Sequence, residues 1–201
     1  MVGSGMAVGR TLRELWVSEP GELFPLLPAV TRMDMLDYYD SGQIVSAPNN
    51  LGHDTELVTV EENYISLETS ASQTVEMRLL TQGRDTVIAV IETVATPVED
   101  SRISFYTTSW IPLRPGQVWK QQPSMATFVR QGVSKDDRKA LLDRIAFPLI
   151  ALHFTGPMHS QIVARHGLNE FLTKEGYSEI RNQLTDSVMY RIDGCRIKPM
   201  R

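Results

Sequence analysis

The stretch Thr86-Val-Ile-Ala-Val-Ile-Glu-Thr-Val94 decides the fold of this 201-residue chain. It is nearly continuous in valine, isoleucine and alanine, which is typical of a central strand covered on both faces. Apolar and polar residues alternate from Val75 to Leu79 before it and from Ile103 to Thr108 after it. A period of two predicts strands with one buried face, so the central strand has neighbours on both sides.

The alternating pattern runs from about Glu56 to Trp110, and the connections within it are short. Ser70-Ala-Ser72 and Pro97-Val-Glu-Asp100 leave no room for crossover helices, so successive strands are expected to be antiparallel. The sequence therefore predicts a soluble α+β protein built on an antiparallel meander of four or five strands.

Helical patterns precede the meander. Residues from Thr11 to Trp16 have apolar side chains at helical spacing and predict a short amphipathic helix. A second helix is predicted to begin with Thr31 as its N-cap and to end at Gly42, where glycine accepts the left-handed conformation of a helix terminus.

A smaller set of elements follows the meander. Helices are predicted after the capping residues Ser134 and Thr173, and strands from Phe147 to Phe154 and from Gln161 to His166. The chain closes on Asp193-Gly194 between alternating apolar residues, which predicts a hairpin with a type I′ turn.

The proline-rich stretch around residues 114–123 divides the chain. We predict a flexible N-terminus or expression scar at residues 1–10, an N-terminal α+β subdomain at 11–113, a linker at 114–123 and a C-terminal α+β subdomain at 124–201. The fold class is two helices and an antiparallel meander, followed by a smaller helix-plus-antiparallel-strand half. This order is compatible with a degenerate tandem repeat, although no residue-level repeat supports it.

Composition excludes several classes of protein. The net charge is −4 and no run of lysine and arginine exceeds a dipeptide, which argues against a nucleic-acid partner and against binding to anionic membranes. No apolar run approaches the ~20 residues of a membrane-spanning helix, so an integral membrane protein is not expected. Cys195 is the single cysteine, which excludes an internal disulfide; a small strand residue is favoured over a reactive thiol.

Catalytic motifs are absent from the sequence: there is no nucleophile elbow, S-x-x-K, P-loop or dinucleotide fingerprint, and we predict no cofactor. Three histidines offer a weak alternative, because imidazoles on one sheet can bind zinc. Ordinary strand and loop histidines are the favoured interpretation. Three aspartates at spacings of three are interpreted as the solvated face of a helix. The alternative is that they carry out acid–base chemistry. These residues are His153, His159 and His166, and Asp34, Asp37 and Asp40.

Aromatic residues recur in or beside the predicted strands. If one sheet face is open, they form a polar-aromatic surface of the kind that binding partners use. The alternative is that helices cover this face. The candidate binding residues are Tyr64, Tyr106, Trp110, Trp119 and Tyr190.

Several segments resemble one bacterial family. The residues that carry the resemblance are Arg32 to Gly42, Leu51-Gly52, Thr55 to Leu57, Tyr64 to Leu67, Ser72 to Leu80, Asp100 to Trp110, and Leu172 to Gly194. They are similar to domain-of-unknown-function family 3256, from anaerobic Gram-negative bacteria. The family pattern usually has tryptophan where this chain has Ile192. At the level of fold, the helix, helix, four-strand order also resembles the repeat of β-lactamase-inhibitor-type proteins.

The resemblance implies an exported protein, because family members typically begin with a signal peptide. It implies no activity and no site residues. We therefore expect a periplasmic or cell-envelope protein, with a cytoplasmic location left open. The expected function is that of a non-catalytic interaction protein that uses a sheet face to hold an unknown protein or polymer partner. The alternative is a small hydrolase or metal-dependent enzyme with an Asp/His site that has no local motif.

Overall fold

A computed structural model describes residues 9–48, 54–95 and 97–200. The helices in these residues are α1 (Leu12–Val17), α2 (Ala29–Asp40), α3 (Pro115–Val118), α4 (Met125–Phe128), α5 (Lys135–Arg144), α6 (Leu168–Phe171) and α7 (Lys174–Ile180), with 3-10 turns at Pro157–His159 and Arg181–Gln183. The strands are β1 (Ser46–Pro48), β2 (Asp54–Val60), β3 (Tyr64–Ser70), β4 (Gln73–Gln82), β5 (Asp85–Val94), β6 (Asp100–Thr107), β7 (Ile150–Thr155), β8 (Gln161–His166), β9 (Ser187–Asp193) and β10 (Arg196–Pro199).

The first sheet is the predicted meander. Its strands lie in the order β1-β2-β3-β4-β5-β6, and every neighbouring pair is antiparallel. The α+β class and the antiparallel meander are thus confirmed, and the prediction of four or five strands was too low. The extra strand, β1, has three residues and includes Pro48, so it carries neither the length nor the alternation that identifies a strand.

Both faces of β5 are covered, as its sequence predicts. Ile88 and Val90 pack into a core with α1 and α2, whereas Ala89 and Ile91 pack into a second core with the other sheet and the later helices. All four side chains are inaccessible to solvent. The first sheet is therefore the middle layer of the molecule.

The second sheet has the order β10-β9-β8-β7, and its edge strand β7 lies against the first sheet. Three backbone N–H groups of β7 donate to side chains of the first sheet: Ile150 to Asp100 Oδ1 (3.1 Å), Leu152 to Ser101 Oγ (2.9 Å) and Phe154 to Glu76 Oε1 (3.3 Å). These side chains thus accept hydrogen bonds from N–H groups at the edge of the second sheet, which would otherwise be unpaired.

The helix boundaries follow the predicted capping residues with one exception. Ser134 and Thr173 accept N–H groups of their helices and act as the predicted N-caps, and Thr11, for which no capping role was predicted, caps α1 in the same way. The start of α2 was predicted wrongly: it begins at Ala29 after Pro28, and Thr31 lies in its first turn. Proline is tolerated at a helix start because the first N–H groups have no intrahelical acceptor.

The closing hairpin also differs in detail from its prediction. Asp193 pairs with Arg196, so the loop consists of Gly194 and Cys195. Gly194 has φ 58°, and Cys195 is not among the residues with positive φ. Positive φ at the first loop position alone is the pattern of a type II′ turn, not of the type I′ turn expected from Asp-Gly.

The division into subdomains 11–113 and 124–201 stays a prediction. The predicted linker between them contains α3, and its residues Val118 and Trp119 are buried in the second core. Residues 1–8 of the predicted flexible N-terminus and the Leu51-Gly52 segment lie outside the described residues. Among the residues that are described, no helix has the length and apolar character needed to cross a membrane.

Candidate functional site

The five candidate aromatic residues do not share one open surface. Four of them are buried: Tyr64, Trp110, Trp119 and Tyr190. Trp119 packs edge-on against Tyr190 in the second core at 4.7 Å between ring centroids, and Trp110 donates from Nε1 to the Leu15 carbonyl of α1 at 3.0 Å. Tyr106 is half-buried and lies 5.5 Å from Trp110. Trp110 thus packs with α1 and α2 on one side of the first sheet, and the other three buried aromatics lie in the core on the opposite side, with the second sheet and the later helices.

Two of the three candidate histidines lie at the junction between the sheets, where each contacts a member of the Tyr64–Glu76 pair. His153 Nδ1 lies 3.1 Å from Glu76 Oε2, and its Nε2 lies 3.3 Å from Glu99 Oε2. The Tyr64 hydroxyl donates to Glu76 Oε1 at 2.8 Å, and the His159 ring stacks on the Tyr64 ring with centroids 3.7 Å apart. The hydrogen bond to Glu76 is the largest contribution that raises the pKa of His153, and burial is the largest that raises the pKa of Tyr64.

His166 lies apart from that pair, at the end of β8, where it contacts Phe128 and Tyr177. Burial lowers its pKa, so the ring is neutral at pH 7. Over residues 9–48, 54–95 and 97–200, no group of three or more His, Cys, Asp or Glu side chains is arranged to hold a metal ion. The three histidines of the zinc alternative are therefore not assembled into one site.

Cationic side chains gather instead around β10. Three adjoining depressions of about 750, 670 and 590 Å³ follow this strand; the first two share Arg196 in their linings, and the second and third share Lys198. We call them together the basic groove. Its cationic residues are Arg10, Arg84, Lys120, Arg191, Arg196 and Lys198, all of them exposed.

Two turns build the head of the basic groove. Gly83 and Gly194 have φ values of 61° and 58°, and each is followed by a side chain of the groove. The turns lie side by side, since the Cys195 Sγ lies 3.3 Å from the carbonyl oxygen of Leu80 and 3.5 Å from that of Asp85, on the two sides of the β4–β5 turn. Burial raises the pKa of this thiol, which keeps it protonated and makes it a packing group. The contact between turns brings Arg84 to the same depression as Arg196.

Most of the positive charge in the groove is uncompensated. Within the described part of the chain, Lys198 is the one groove cation with an ion pair, to Asp193 at 2.6 Å. Arg10 donates to the carbonyl oxygens of Thr108 and Glu14, both at 3.3 Å, which fixes its position without neutralising it. Of the described residues that line the three depressions, Asp85 is the one acidic residue. A chain of net charge −4 thus has a locally positive groove.

Sequence reasoning missed this groove. Its cations come from the N-terminal segment, the β4–β5 turn, the segment after α3 and the β9–β10 hairpin, so no cluster appears along the chain. The one available signal was local: Gly83-Arg84 and Gly194 were recognisable as turn residues, and turns present their side chains to solvent.

Comparison with known proteins gives a family and a structural relative. A family model described as "Protein of unknown function (DUF3256)" matches residues 6–196. The fold is similar to the solved structure of a domain of an uncharacterized protein from Porphyromonas gingivalis W83, with a TM-score of 0.79 and 23% sequence identity over 94% of this chain and 97% of that chain. No curated protein matches the sequence.

Proposed function

We propose that this chain, which belongs to the family described as Protein of unknown function (DUF3256), is a non-catalytic interaction protein that holds an acidic segment of a partner protein in its basic groove. The observation that carries the proposal is the gathering of six exposed cationic side chains around β10, five of them without an ion pair among the described residues. The proposal keeps the interaction function expected from the sequence and moves it from an aromatic sheet face to this groove.

The chemistry of the groove favours carboxylate groups. Four of its six cations are arginines, whose planar guanidinium groups bind carboxylates through two parallel hydrogen bonds. Gln82 and Thr86 add neutral hydrogen-bonding groups to the lining, and Val87 and Leu113 add half-buried apolar surface. A polypeptide with acidic residues offers a complement to each: carboxylates for the arginines, backbone amides for the neutral hydrogen-bonding groups, and apolar side chains for the apolar surface.

A nucleic acid fits this groove less well than a polypeptide. Single-stranded nucleic acids are usually held by aromatic side chains on which bases stack. Trp119 is the one aromatic residue in the groove lining as described, and it is 1% exposed. Positive charge without a stacking surface supports an acidic polypeptide as the partner.

Affinity in such a groove is modest. An exposed ion pair contributes about 0.2–1 kcal/mol. Four to six pairs at the upper end of this range give on the order of 4–6 kcal/mol, which corresponds to a dissociation constant of roughly 0.04–1 mM. Because these charges are exposed, salt is expected to weaken binding strongly.

We further propose that this interaction takes place in the cell envelope. The support is the resemblance of the sequence to a family whose members typically begin with a signal peptide. Fractionation of cells that express the complete native gene tests this location. Recovery of the protein with cytoplasmic markers only would contradict it and would leave the binding proposal standing.

Binding is tested by calorimetry with a capped peptide of alternating glutamate and valine. We expect saturable binding at 50 mM NaCl and at least a tenfold loss of affinity at 500 mM NaCl. The double variant Arg84→Gln/Arg196→Gln should bind at least fivefold more weakly than the unmodified protein. Lys139→Gln, which removes an exposed cation of α5 outside the groove, is the matched control and should bind normally.

Two further probes make the result specific. A peptide with glutamine in place of glutamate should not bind, since it keeps the backbone and loses the charge. Inorganic polyphosphate tests a non-peptide polyanion. Equal affinity for polyphosphate and the acidic peptide would overturn the assignment of a polypeptide partner, and absence of binding to both would overturn the groove as a binding site.

A further inference from the structure

We propose that the partner held in the basic groove is a second copy of this chain, which presents the outer face of α2 to it. This inference rests on the proposed function and names the acidic segment that the groove takes. Five exposed side chains lie along that face at helical spacing: Val30, Met33, Asp34, Asp37 and Tyr38. We call them together the acidic stripe.

The negative charge around the acidic stripe is largely uncompensated. Residues 11–48 contain six acidic and two basic side chains, and both basic ones are already in ion pairs, at 2.7 and 2.8 Å. Asp34 and Asp37 have no ion pair within the described part of the chain. The groove is positive where this face is negative, so the two surfaces of neighbouring copies attract each other.

Apolar side chains lie beside these carboxylates and are unusually open to solvent. The exposed fraction is 64% for Val30, 49% for Met33 and 54% for Tyr38. Their spacing is typical of helices that dock into the groove of a partner. The basic groove has half-buried apolar surface at its head, and Pro199 and Met200 lie among the cations at its other end. Contact between copies would therefore bury apolar area and pair charges together.

The acidic stripe and the basic groove also match in length. From Val30 to Tyr38 the helix rises by about 12 Å, and the four residues of β10 extend over about 13 Å. The inner face of α2 packs into a core with α1, which holds the helix in place. The stripe is therefore formed before binding, and little conformational entropy is lost when it enters a groove.

The acidic stripe does not reach the groove of its own molecule. α2 packs into the core on one side of the first sheet, whereas β10 packs into the core on the opposite side. The contact therefore joins the stripe of one copy to the groove of the next. A head-to-tail contact of this kind leaves one free stripe and one free groove, so association is expected to continue beyond a dimer.

Sedimentation equilibrium of the full chain measures this association. The groove is expected to bind with a dissociation constant of roughly 0.04–1 mM, so the protein is studied up to about 0.5 mM. At this concentration and 50 mM NaCl, the weight-average mass should exceed the monomer mass of 22.6 kDa by at least half. At 500 mM NaCl, or with an excess of the glutamate–valine peptide, the mass should return to that of the monomer.

Charge reversal tests which surfaces meet. Asp34→Lys/Asp37→Lys and Arg84→Glu/Arg196→Glu should each remain monomeric, because each gives the stripe and the groove the same sign of charge. An equimolar mixture of the two variants should associate again, since the surfaces of one are then complementary to those of the other. All four side chains are exposed, so both variants are expected to fold.

A matched control separates pairing of the two surfaces from the effect of net charge. Asp143→Lys/Glu175→Lys changes the net charge as much as the stripe variant does, at exposed carboxylates of α5 and α7, and should associate like the unmodified protein. Loss of association in this control, or a mixture of reversed variants that stays monomeric, would overturn the assignment. A monomer that still binds the peptide would overturn it and leave the proposed function standing, whereas the absence of both would overturn both.

Discussion

Replacement of Glu76 by alanine is expected to be the most destabilising single change at the junction of the two sheets. Glu76 is 7% exposed, and its carboxylate accepts from the Tyr64 hydroxyl at 2.8 Å and from the Phe154 N–H at 3.3 Å. Its other oxygen lies 3.1 Å from His153 Nδ1. One side chain of the first sheet thus satisfies three polar groups around the edge of the second.

The magnitude follows from the groups that would be left without an acceptor. An unsatisfied buried donor costs about 1–3 kcal/mol, and Glu76→Ala leaves two, the Tyr64 hydroxyl and the Phe154 N–H. His153 is partly solvated, so the loss of its contact with Glu76 costs less free energy. We expect Glu76→Ala to lower the free energy of unfolding by about 3–5 kcal/mol. Glu76→Gln keeps an acceptor oxygen and loses the charge, so its cost should be about 1–2 kcal/mol.

Urea unfolding, followed by circular dichroism and tryptophan fluorescence, measures these differences. Glu92→Gln is the matched control, because Glu92 also lies in the first sheet and pairs with an exposed arginine, Arg102, at 2.7 Å. Glu92→Gln should lower the free energy of unfolding by less than about 1 kcal/mol. A loss below about 1 kcal/mol for Glu76→Ala, or equal losses for alanine and glutamine, would refute the account of Glu76 as an acceptor for buried donors.

Three further changes test other contacts. The contribution of His153 to stability should be complete below about pH 6.5 and lost as the pH rises through its raised folded-state pKa, so the unfolding free energies of wild type and His153→Gln should converge at high pH. Gly167→Ala should cost about 1–3 kcal/mol through overlap with Val98, and addition of Val98→Ala should restore part of the loss in urea melts. Glu19→Gln breaks a buried ion pair of 2.8 Å with Arg32 and should lower stability by about 3–5 kcal/mol, measured in the same way.

The fold was largely predictable from local sequence signals. The continuous apolar run of β5 identified a strand covered on both faces, the apolar spacing after Thr11 identified α1, and the caps Ser134 and Thr173 identified two further helix starts. These predictions succeeded because periodicity and capping depend on residues close in the sequence. β1 was missed because a three-residue strand is specified by its partner in the sheet and not by its own pattern.

The arrangement of side chains between elements was not predictable. The alternation of Ile65 and Leu67 with polar residues shows that one face of β3 is buried, but it does not show that the second sheet covers Tyr64 on the other face. In the same way, Arg84 and Arg196 are 112 positions apart, and only the contact between two turns brings them into one depression. Tertiary packing therefore created the groove, and it also buried four of the five aromatics expected at a binding surface.

The most direct test of the proposed function is a map of backbone amide shifts in a ¹⁵N-labelled sample titrated with the alternating glutamate–valine peptide. The proposal predicts saturable shifts in the stretches that line the basic groove, at residues 82–86, 116–121 and 195–200, and little change at 165–170 or 186–187, which line a separate depression. Shifts that are absent, or that lie outside the groove, would contradict it.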